Sequence, residues 1–210
     1  MDQINLWQIE EELFQKGIQF VCGVDEAGRG PLAGPVCAAA VILPPYCEIE
    51  GLNDSKKLTE KKREKLFDII RAQAVAYSIA RVEAEEIDAT DILSARMKAM
   101  QLAIDGLGVQ PRMALIDGNR DKGKSAAIIT PHQLVVGGDG KSASIAAASI
   151  LAKVSRDRYV VEELDRDYPR YQFAKHKGYG TKLHYEMLDQ YGPCAAHRKT
   201  FLKKWAEKKG

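Results

Sequence analysis

The sequence predicts an α/β fold, in which a mixed β-sheet is flanked by helices and followed by a helical extension at the C-terminus. Two apolar runs typical of strands, "IQFVCGVD" (18–25) and "GPVCAAAVIL" (34–43), lie close together near the N-terminus. Further strand-like runs then alternate with amphipathic segments, and residues 168–210 carry only helical patterns. Adjacent strands followed by strands mixed with helices favour a mixed sheet covered by helices. We therefore expect a main domain over 1–167, with 168–210 packed on it as a basic extension.

The spacing of apolar residues predicts the individual elements. Helices are predicted where apolar residues recur at steps of three and four, and strands where short apolar runs lie between turn residues. The predicted helices cover 3–16, 59–73, 89–108, 142–167, 181–192 and 200–208. The predicted strands cover 18–25, 34–43, 74–82, 112–117, 126–130 and 132–138. Thr59 and Thr181 are suitable N-caps, and the alanines and serines after residue 142 would let that helix lie close against the sheet.

The composition is that of a globular protein, with 45% hydrophobic and 29% charged residues. The four cysteines form no CxxC pair, which argues against a zinc site and indicates a reducing compartment. The N-terminal segment carries acids among its apolar residues and lacks the features of a signal peptide. No apolar run approaches the ~20 residues that span a membrane. We expect a cytoplasmic protein with no membrane partner.

The charge is distributed unevenly along the chain. From residue 168 onward there are ten basic and three acidic residues, a net charge of +7, so the preceding residues carry −5. Eight aromatic residues lie among these basic ones. Basic residues interleaved with aromatics are typical of a nucleic-acid surface. The alternative is a solvated basic region whose aromatics face the core, and composition alone does not decide between the two.

Two glycine-rich segments resemble nucleotide-binding loops. "GNRDKGKS" (118–125) matches G-x-x-x-x-G-K-S after a predicted strand, but the short segment that follows ends at Pro131 and supplies no helix to hold a phosphate. "GRGPLAG" (28–34) is one residue out of register with the dinucleotide fingerprint, and a strand follows it. We interpret 118–125 as a Lys-rich turn and keep a phosphate-loop nucleotidase only as an alternative.

Four acidic residues stand at the predicted ends of strands and helices. Asp25 and Glu26 end the first strand. Asp117 ends a buried strand, and Asp139 precedes the Ala/Ser-rich helix. Clustered carboxylates repel one another unless they are paired or hold a cation. All-oxygen ligands favour Mg²⁺ or Mn²⁺, and two such ions about 4 Å apart can activate water and stabilise the leaving oxygen of a phosphodiester. Each acid alone is explained as a turn or helix cap, but the four together favour a metal site.

These motifs occur in the order and spacing of a known family. The chain from about residue 20 to 201 resembles bacterial ribonuclease HII, the type 2 ribonuclease H. "GVDEAGRGPLAGPV" (23–36) is similar to the first signature of that family. The later motifs are "NDSKKLT", "DILSARMKAM", "LIDGN", "GGDGKSASIAAASILAKVSRDR", "HKGYGTKLH" and "HRKTF". The sister family, ribonuclease HIII, typically has Thr where this chain has Arg29 and carries an extra N-terminal domain, so the resemblance is to ribonuclease HII.

The resemblance implies a ribonuclease H-like fold and a metal-dependent endoribonuclease. Such an enzyme cleaves the RNA strand of RNA–DNA hybrids. It also incises duplex DNA on the 5′ side of embedded ribonucleotides, leaving 5′-phosphate and 3′-hydroxyl ends. The implied cofactor is Mg²⁺ or Mn²⁺, and we expect the protein to act as a monomer. The alternative from another class is an RNA–DNA binding protein whose acids only cap turns.

By the resemblance, four carboxylates are catalytic and bind metal. Asp25 would bridge two ions. Glu26 and Asp117 would hold the ion on the leaving-group side, and Asp139 would hold the ion that activates water. Neighbouring residues on a strand point to opposite faces. We therefore expect the chain to leave regular strand geometry at Glu26, by a strand end or a bulge, so that both carboxylates reach the same side.

The resemblance also implies the residues that bind the substrate, which are Gly28, Arg29, Gly30, Lys141, Ser142 and Tyr179. Backbone groups of 28–30 would contact the ribose 2′-hydroxyl and the neighbouring phosphate. Glycine has no Cβ, so backbone can approach the sugar closely, and the 2′-hydroxyl is the group that separates RNA from DNA. Tyr179 would pack on the deoxyribose that follows the ribonucleotide. Lys141 and Ser142 would contact backbone phosphates.

Overall fold

A five-stranded mixed β-sheet forms the centre of the fold. The computed structural model describes residues 5–53 and 55–209. The strands are β1 Val21–Ala27, β2 Val36–Ile42, β3 Ala76–Val82, β4 Met113–Asp117 and β5 His132–Val135. They lie in the order β3-β2-β1-β4-β5, and β1 is antiparallel to β2 but parallel to β4. Strand β3 pairs antiparallel with β2, and β5 pairs parallel with β4. The mixed sheet predicted from the sequence is therefore confirmed.

Helices cover both faces of this sheet. Those before the C-terminal region are α1 Gln8–Gln15, α2 Glu60–Gln73, α3 Ala84–Ala89, α4 Ile92–Asp105, α5 Ala143–Tyr159 and α6 Asp165–Asp167, with a π-helical segment, Val160–Leu164, between the last two. Those within that region are α7 Phe173–His176, α8 Lys182–Tyr191 and α9 Lys203–Glu207. The 3₁₀ helices are Ser55–Lys57, Gly138–Gly140, Pro169–Tyr171 and Lys199–Leu202. Helix α4 packs on one face of the sheet, and α5 and α2 pack on the other.

The two faces of β1 meet different helices. Cys22 and Val24 belong to the core shared with α4, whereas Gly23 faces the start of α5. A Cβ atom on Gly23 would lie 2.0 Å from the carbonyl carbon of Ser144. Only glycine therefore allows backbone of α5 to lie this close to β1. The small residues at the start of α5 also allow the helix to lie close to the sheet, as the sequence predicts.

The helices largely follow the sequence predictions. Thr59 and Thr181 cap α2 and α8 with their side chains, as expected. Helix α1 begins at Gln8, so the predicted helix does not extend over 5–7, and its predicted residues 3–4 lie outside the described residues. The prediction misses α3, a helix of 6 residues, because it is too short to show a clear apolar period.

The predicted strand at 126–130 is wrong, because these residues form a loop. The Ile128 N–H donates to the Asp121 carbonyl at 2.8 Å. The Ile129 N–H donates to Oε1 of Gln101 on α4, also at 2.8 Å. A loop carbonyl and a side chain thus satisfy donors that would otherwise require a strand partner.

The phosphate-loop motif at 118–125 leads into this loop and not into a helix. The Gly123 N–H donates to the Ala126 carbonyl at 2.7 Å. The Ser125 N–H donates to Oγ of Ser94, at the start of α4, at 3.1 Å. The segment is a turn packed against α4, as the sequence predicts, and it lacks the helix N-terminus that a phosphate loop requires.

The C-terminal region packs on the sheet domain through a buried cluster. Tyr171 and Phe173 are buried there with Ala33 and Val160. The alternative in which aromatics of the basic region face the core is therefore correct for these two side chains. Other tyrosines of the region remain exposed, namely Tyr179, Tyr185 and Tyr191. None of the helices within 5–53 and 55–209 combines the length and apolarity needed to cross a membrane.

Candidate active site

Three carboxylates converge at the carboxyl edge of the sheet. Asp25 lies near the end of β1, Asp117 is the last residue of β4, and Asp139 lies in the 3₁₀ turn after β5. One carboxylate oxygen from each lies within 4.8 Å of those from the other two. The convergence follows from the topology, because β1, β4 and β5 are parallel and their carboxyl ends meet at one edge. The structure thus brings together three of the four acids predicted from the sequence.

Caps and turns do not account for this cluster. Ser142, and not Asp139, caps α5 by accepting a hydrogen bond from the Ile145 N–H. Asp117 uses one oxygen to accept from the Gly138 N–H at 2.7 Å. Asp25 accepts from the N–H of its neighbour, Glu26, at 2.7 Å. Each acid therefore keeps acceptor capacity that local backbone does not fill.

Glu26 reaches the site from the other face of the sheet. The expectation of a strand end or bulge at this residue is wrong, because β2 pairs regularly with Asp25, Glu26 and Ala27. Glu26 consequently points toward α4, where its Oε2 lies 2.9 Å from Nε of Arg96. This contact is an ion pair without hydrogen-bond geometry, and Oε2 has no hydrogen-bond partner among the described residues. Arg96 also donates to the Asp117 carbonyl at 2.5 Å, so it holds the ends of β1 and β4 together.

The electrostatics of the cluster favour a bound cation. Burial raises the pKa of Asp25 well above its usual value, and the charges of Glu26 and Asp117 raise it further. Burial also raises the pKa of Glu26, although Arg96 opposes the shift. The pKa of Asp117 is raised mainly by burial. These carboxylates are thus held where their charge is costly, and a divalent cation would remove that cost. A set of carboxylate oxygens fits Mg²⁺ or Mn²⁺.

A cavity of about 460 Å³ runs from the carboxylates to the predicted substrate residues. Asp25, Glu26 and Asp117 line one part of it, and Tyr179 and the turn 28–30 line another. The structure therefore places the predicted turn and tyrosine in the same cavity as three of the acids. Tyr179 is 40% exposed, so its ring is available to a ligand.

Several residues of the cavity are missed by the sequence analysis. They are Ser55, Lys56, Arg96, Ser149 and Lys153. Ser149 donates toward the Asp25 carboxylate and its Oγ lies 2.7 Å from that of Ser55. The Nζ of Lys153 lies 5.6 Å from the ring centroid of Tyr179. Ser149 and Lys153 are four residues apart on α5 and so share one helix face, a spacing that could have revealed them.

Ser142 does not contact the cavity, which corrects its predicted role as a phosphate ligand. Its side chain is fully buried, and its Oγ donates to Oε1 of Glu10 at 2.6 Å. The hydroxyl is thus used to cap α5 and to anchor α1. Lys141 is exposed, and its Nζ donates to the Val136 carbonyl at 2.7 Å. A phosphate contact by Lys141 stays a prediction.

Buried histidines fix the backbone around Tyr179. The Tyr179 N–H donates to the His176 carbonyl at 2.9 Å, and Nδ1 of His184 lies 3.0 Å from the Tyr179 carbonyl. Because a carbonyl only accepts, Nδ1 of His184 carries the proton. Its Nε2 then accepts from Nε2 of His197 at 3.0 Å, and Nδ1 of His197 accepts from the Cys194 N–H at 3.0 Å. Every link requires neutral imidazoles, and burial lowers the pKa of His184 and of His197 to about 4.

Comparison with known sequences gives a family match over most of the chain. The family model described as Ribonuclease HII matches residues 22–208. The ribonuclease HII of Caldicellulosiruptor bescii is 54% identical over 199 residues, which cover 95% of this chain and 94% of that protein. The ribonuclease HII of Idiomarina loihiensis is 55% identical over 181 residues, which cover 86% of this chain and 94% of that protein.

Solved structures show the same likeness. The ribonuclease H2 from Pyrococcus horikoshii OT3 matches with a TM-score of 0.68 and 29% identity, covering 90% of this chain and 97% of that one. The ribonuclease HII of Archaeoglobus fulgidus, solved in a complex with PCNA, gives a TM-score of 0.62 at 25% identity, covering 85% of this chain and 93% of that one. The chain therefore belongs to the ribonuclease HII family, and it is a ribonuclease H endonuclease that acts on RNA–DNA hybrids.

Proposed function

We propose that this endonuclease uses divalent metal ions and has two kinds of substrate. It cleaves the RNA strand of RNA–DNA hybrids, and it incises duplex DNA on the 5′ side of embedded ribonucleotides, leaving 5′-phosphate and 3′-hydroxyl ends. The observation that carries the proposal is the cluster of Asp25, Asp117 and Asp139, whose ligand oxygens lie within 4.8 Å of one another. Such a cluster beside a cavity lined by basic residues suits a phosphodiester substrate.

Four carboxylates would hold Mg²⁺ or Mn²⁺ in this proposal. Asp25, Asp117 and Asp139 supply the clustered oxygens. Glu26 would supply a further carboxylate oxygen; its buried Oε2 lies beside Nε of Arg96 without hydrogen-bond geometry. When bound, a pair of such ions stabilises the attacking and the leaving oxygen of an in-line displacement. The Nζ of Lys56, 3.1 Å from Oδ2 of Asp139, adds positive charge where a phosphate would enter.

The turn 28–30 and Tyr179 would provide the selectivity for ribonucleotides. Both line the cavity that contains the acids. The turn offers backbone N–H donors to a 2′-hydroxyl, and the partly exposed ring of Tyr179 offers an apolar face to the next sugar. A substrate without a 2′-hydroxyl would leave those donors unpaired, which is the most effective basis for rejecting it.

Incision of a DNA duplex that contains one ribonucleotide tests the proposal. We expect cleavage on the 5′ side of the ribonucleotide with Mg²⁺ or Mn²⁺, and its complete loss on addition of chelator. The matched control is the all-DNA duplex of the same sequence, which should stay intact. Binding without cleavage in either metal would favour the alternative of a non-enzymatic RNA–DNA binding protein and would contradict the proposal.

Replacing Tyr179 by Ala should reduce incision at a single ribonucleotide by about tenfold, with a smaller effect on a long hybrid. Aromatic packing on nucleic acid contributes about 1–3 kcal/mol, and a single ribonucleotide offers only one junction at which the ring can pack on a deoxyribose. The measurement is kcat/KM on both substrates, with Tyr179→Phe as the variant that keeps the ring. Equal losses on the two substrates would count against the sugar-packing role.

We further propose that 168–210 works as part of one active site with 1–167 and not as a separate binding module. Tyr179 lines the same cavity as Asp25, which supports a single site formed by both parts of the chain. The free thiols of all four cysteines support a reducing compartment, and we propose the cytoplasm. We also propose that the enzyme acts as a monomer, since 1–167 and 168–210 of one chain together supply the cavity.

A further inference from the structure

Two arginines are fully buried beneath the turn 28–30. Arg156 and Arg198 are both 0% exposed. Within the described residues, neither forms an ion pair with a carboxylate, and both guanidinium groups donate their hydrogen bonds to backbone carbonyls. Burying a guanidinium without a paired carboxylate is costly. Such an arrangement indicates that the carbonyls these side chains bind must be held in place.

Arg198 binds successive carbonyls of the turn. Its Nη2 donates to the Gly28 carbonyl at 2.7 Å, and its Nη1 donates to the Arg29 carbonyl at 3.2 Å. Its Nε donates to the Gly34 carbonyl at 2.9 Å. The planar fork of one guanidinium thus fixes the orientation of two consecutive peptide units. Arg156 holds other carbonyls nearby, and a Cβ on Gly28 would lie 2.1 Å from its Nε.

The bound carbonyls determine where the N–H groups of the turn point. The described residues contain no cis peptide bond, and in a trans peptide the C=O and the following N–H point in opposite directions. The Gly28 carbonyl shares its peptide unit with the Arg29 N–H, and the Arg29 carbonyl shares its unit with the Gly30 N–H. Both N–H groups therefore face away from Arg198. Neither has an acceptor within the described residues, and all three residues of the turn line the cavity.

We propose that Arg198 is a positioning residue for ribonucleotide recognition: it binds the two carbonyls so that the Arg29 and Gly30 N–H groups form a fixed pair of donors for the 2′-hydroxyl and the neighbouring phosphate. This inference rests on the proposed recognition of ribonucleotides by the turn. The positive guanidinium also polarises both peptide units, which strengthens their N–H groups as donors. Lysine cannot replace it, because an ammonium group lacks the planar fork.

The test measures two affinities, one for a duplex that contains a single ribonucleotide and one for the all-DNA duplex of the same sequence. Chelator is present so that no cleavage occurs. For Arg198→Lys we expect the ratio of the two affinities to fall by about tenfold, while binding to the all-DNA duplex stays unchanged. The control is Arg158→Lys near the C-terminal end of α5, where the arginine pairs with Glu64 of α2; its ratio should match that of the wild type.

A second variant keeps the test informative if Arg198→Lys does not fold. Gly30→Pro removes one of the two N–H groups and leaves Arg198 in place. Gly30 is an exposed turn position, and no heavy atom lies within 4 Å of the place that a Cβ would occupy there. We expect the same loss of discrimination from this variant.

Four results would overturn the inference, and they differ in what else they contradict. Full discrimination by folded Arg198→Lys overturns the role of Arg198 alone. Full discrimination by Gly30→Pro contradicts the Gly30 N–H as a donor, and with it the pair of donors that Arg198 would orient. Equal binding of both duplexes by the wild type contradicts the proposed recognition of ribonucleotides. It therefore also contradicts the role of Arg198 in that recognition. A parallel loss of affinity for both duplexes in Arg198→Lys would show a merely structural role.

Discussion

Replacing Asp25 by Asn is expected to lower cleavage by at least about 10³-fold and, at the same time, to stabilise the metal-free protein. The loss of activity follows because Asp25 is central to the carboxylate cluster, and removing several kcal/mol of transition-state stabilisation slows a reaction by this factor. The gain in stability follows because the pKa of Asp25 is raised by burial and by the charges of Glu26 and Asp117. Asparagine keeps the shape of the side chain and removes the buried charge.

The pH dependence gives this prediction a sign. A carboxyl group whose pKa is raised in the folded state binds its proton more tightly there, so the metal-free protein loses stability as pH rises above about 4 toward the folded pKa. The stability gained by Asp25→Asn should therefore be present at pH 7.5 and should vanish near pH 4, the usual pKa of an aspartate. Mg²⁺ or Mn²⁺ should stabilise the wild type and not the variant.

Chemical denaturation in chelator and in metal measures both effects. The control is Asp91→Asn, since Ser94 lowers the pKa of Asp91 at the N-terminus of α4; removing that charge should not stabilise the protein. An Asp25→Asn protein that is less stable than the wild type in chelator would contradict a metal site destabilised by its own buried charge. A variant that retained full cleavage would contradict the role of Asp25 in the reaction.

Lowering the pH from 7 to 5 is expected to destabilise the protein through His184 and His197. Both pKa values are lowered to about 4 by burial, against a usual value near 6.5. A histidine with a lowered pKa gives its full stability above pH 6.5, and that contribution is lost as the pH falls toward 4. The expected cost at pH 5 is about 2 kcal/mol for each of the two histidines. Protonation of His184 would also place a proton on its Nε2, which would then face the Nε2–H of His197 instead of accepting from it.

Comparing the free energy of unfolding at pH 7 and pH 5 in two variants isolates this effect. His184→Gln should lose less stability between these pH values than the wild type does. His132→Gln is the matched control, because His132 lies on β5 and pairs with Asp121 outside the buried cluster; it should behave like the wild type. Identical pH dependence in all three proteins would contradict a neutral, buried histidine chain.

The carboxylates could be predicted from the sequence because each has a local signal. Asp25 and Asp117 follow buried apolar runs, and Asp139 lies between glycines before a small-residue helix. The geometry of Glu26 could not be predicted, because it depends on how far β2 continues its pairing, which residues distant in sequence determine. The same holds for 126–130, whose N–H groups are satisfied by a loop carbonyl and by the side chain of Gln101.

The supporting residues of the site are hidden in the sequence for a different reason. Arg198 stands beside Lys199 in a segment that composition presents as basic surface, yet one is fully buried and the other is exposed. The histidines likewise lie within the basic region, although they form a neutral chain behind Tyr179. Burial of a polar side chain depends on partners elsewhere in the fold, such as the carbonyls of 28–34. The sequence therefore predicts the candidate catalytic residues better than the residues that hold them in place.

The glycine at position 23 has a consequence for how the candidate active site can change. It lies two residues before Asp25 on the same face of β1, and the α5 backbone that presses against it begins four residues after Asp139. The distance between Asp25 and Asp139 therefore depends on direct backbone contact between β1 and α5, with no flexible side chain between them. A methyl group added at this position would clash with the Ser144 backbone, so α5 would have to move away from β1 and the spacing of the proposed ligands would change. In the proposed metal site, the size of ion that fits would therefore depend in part on a residue that bears no functional group.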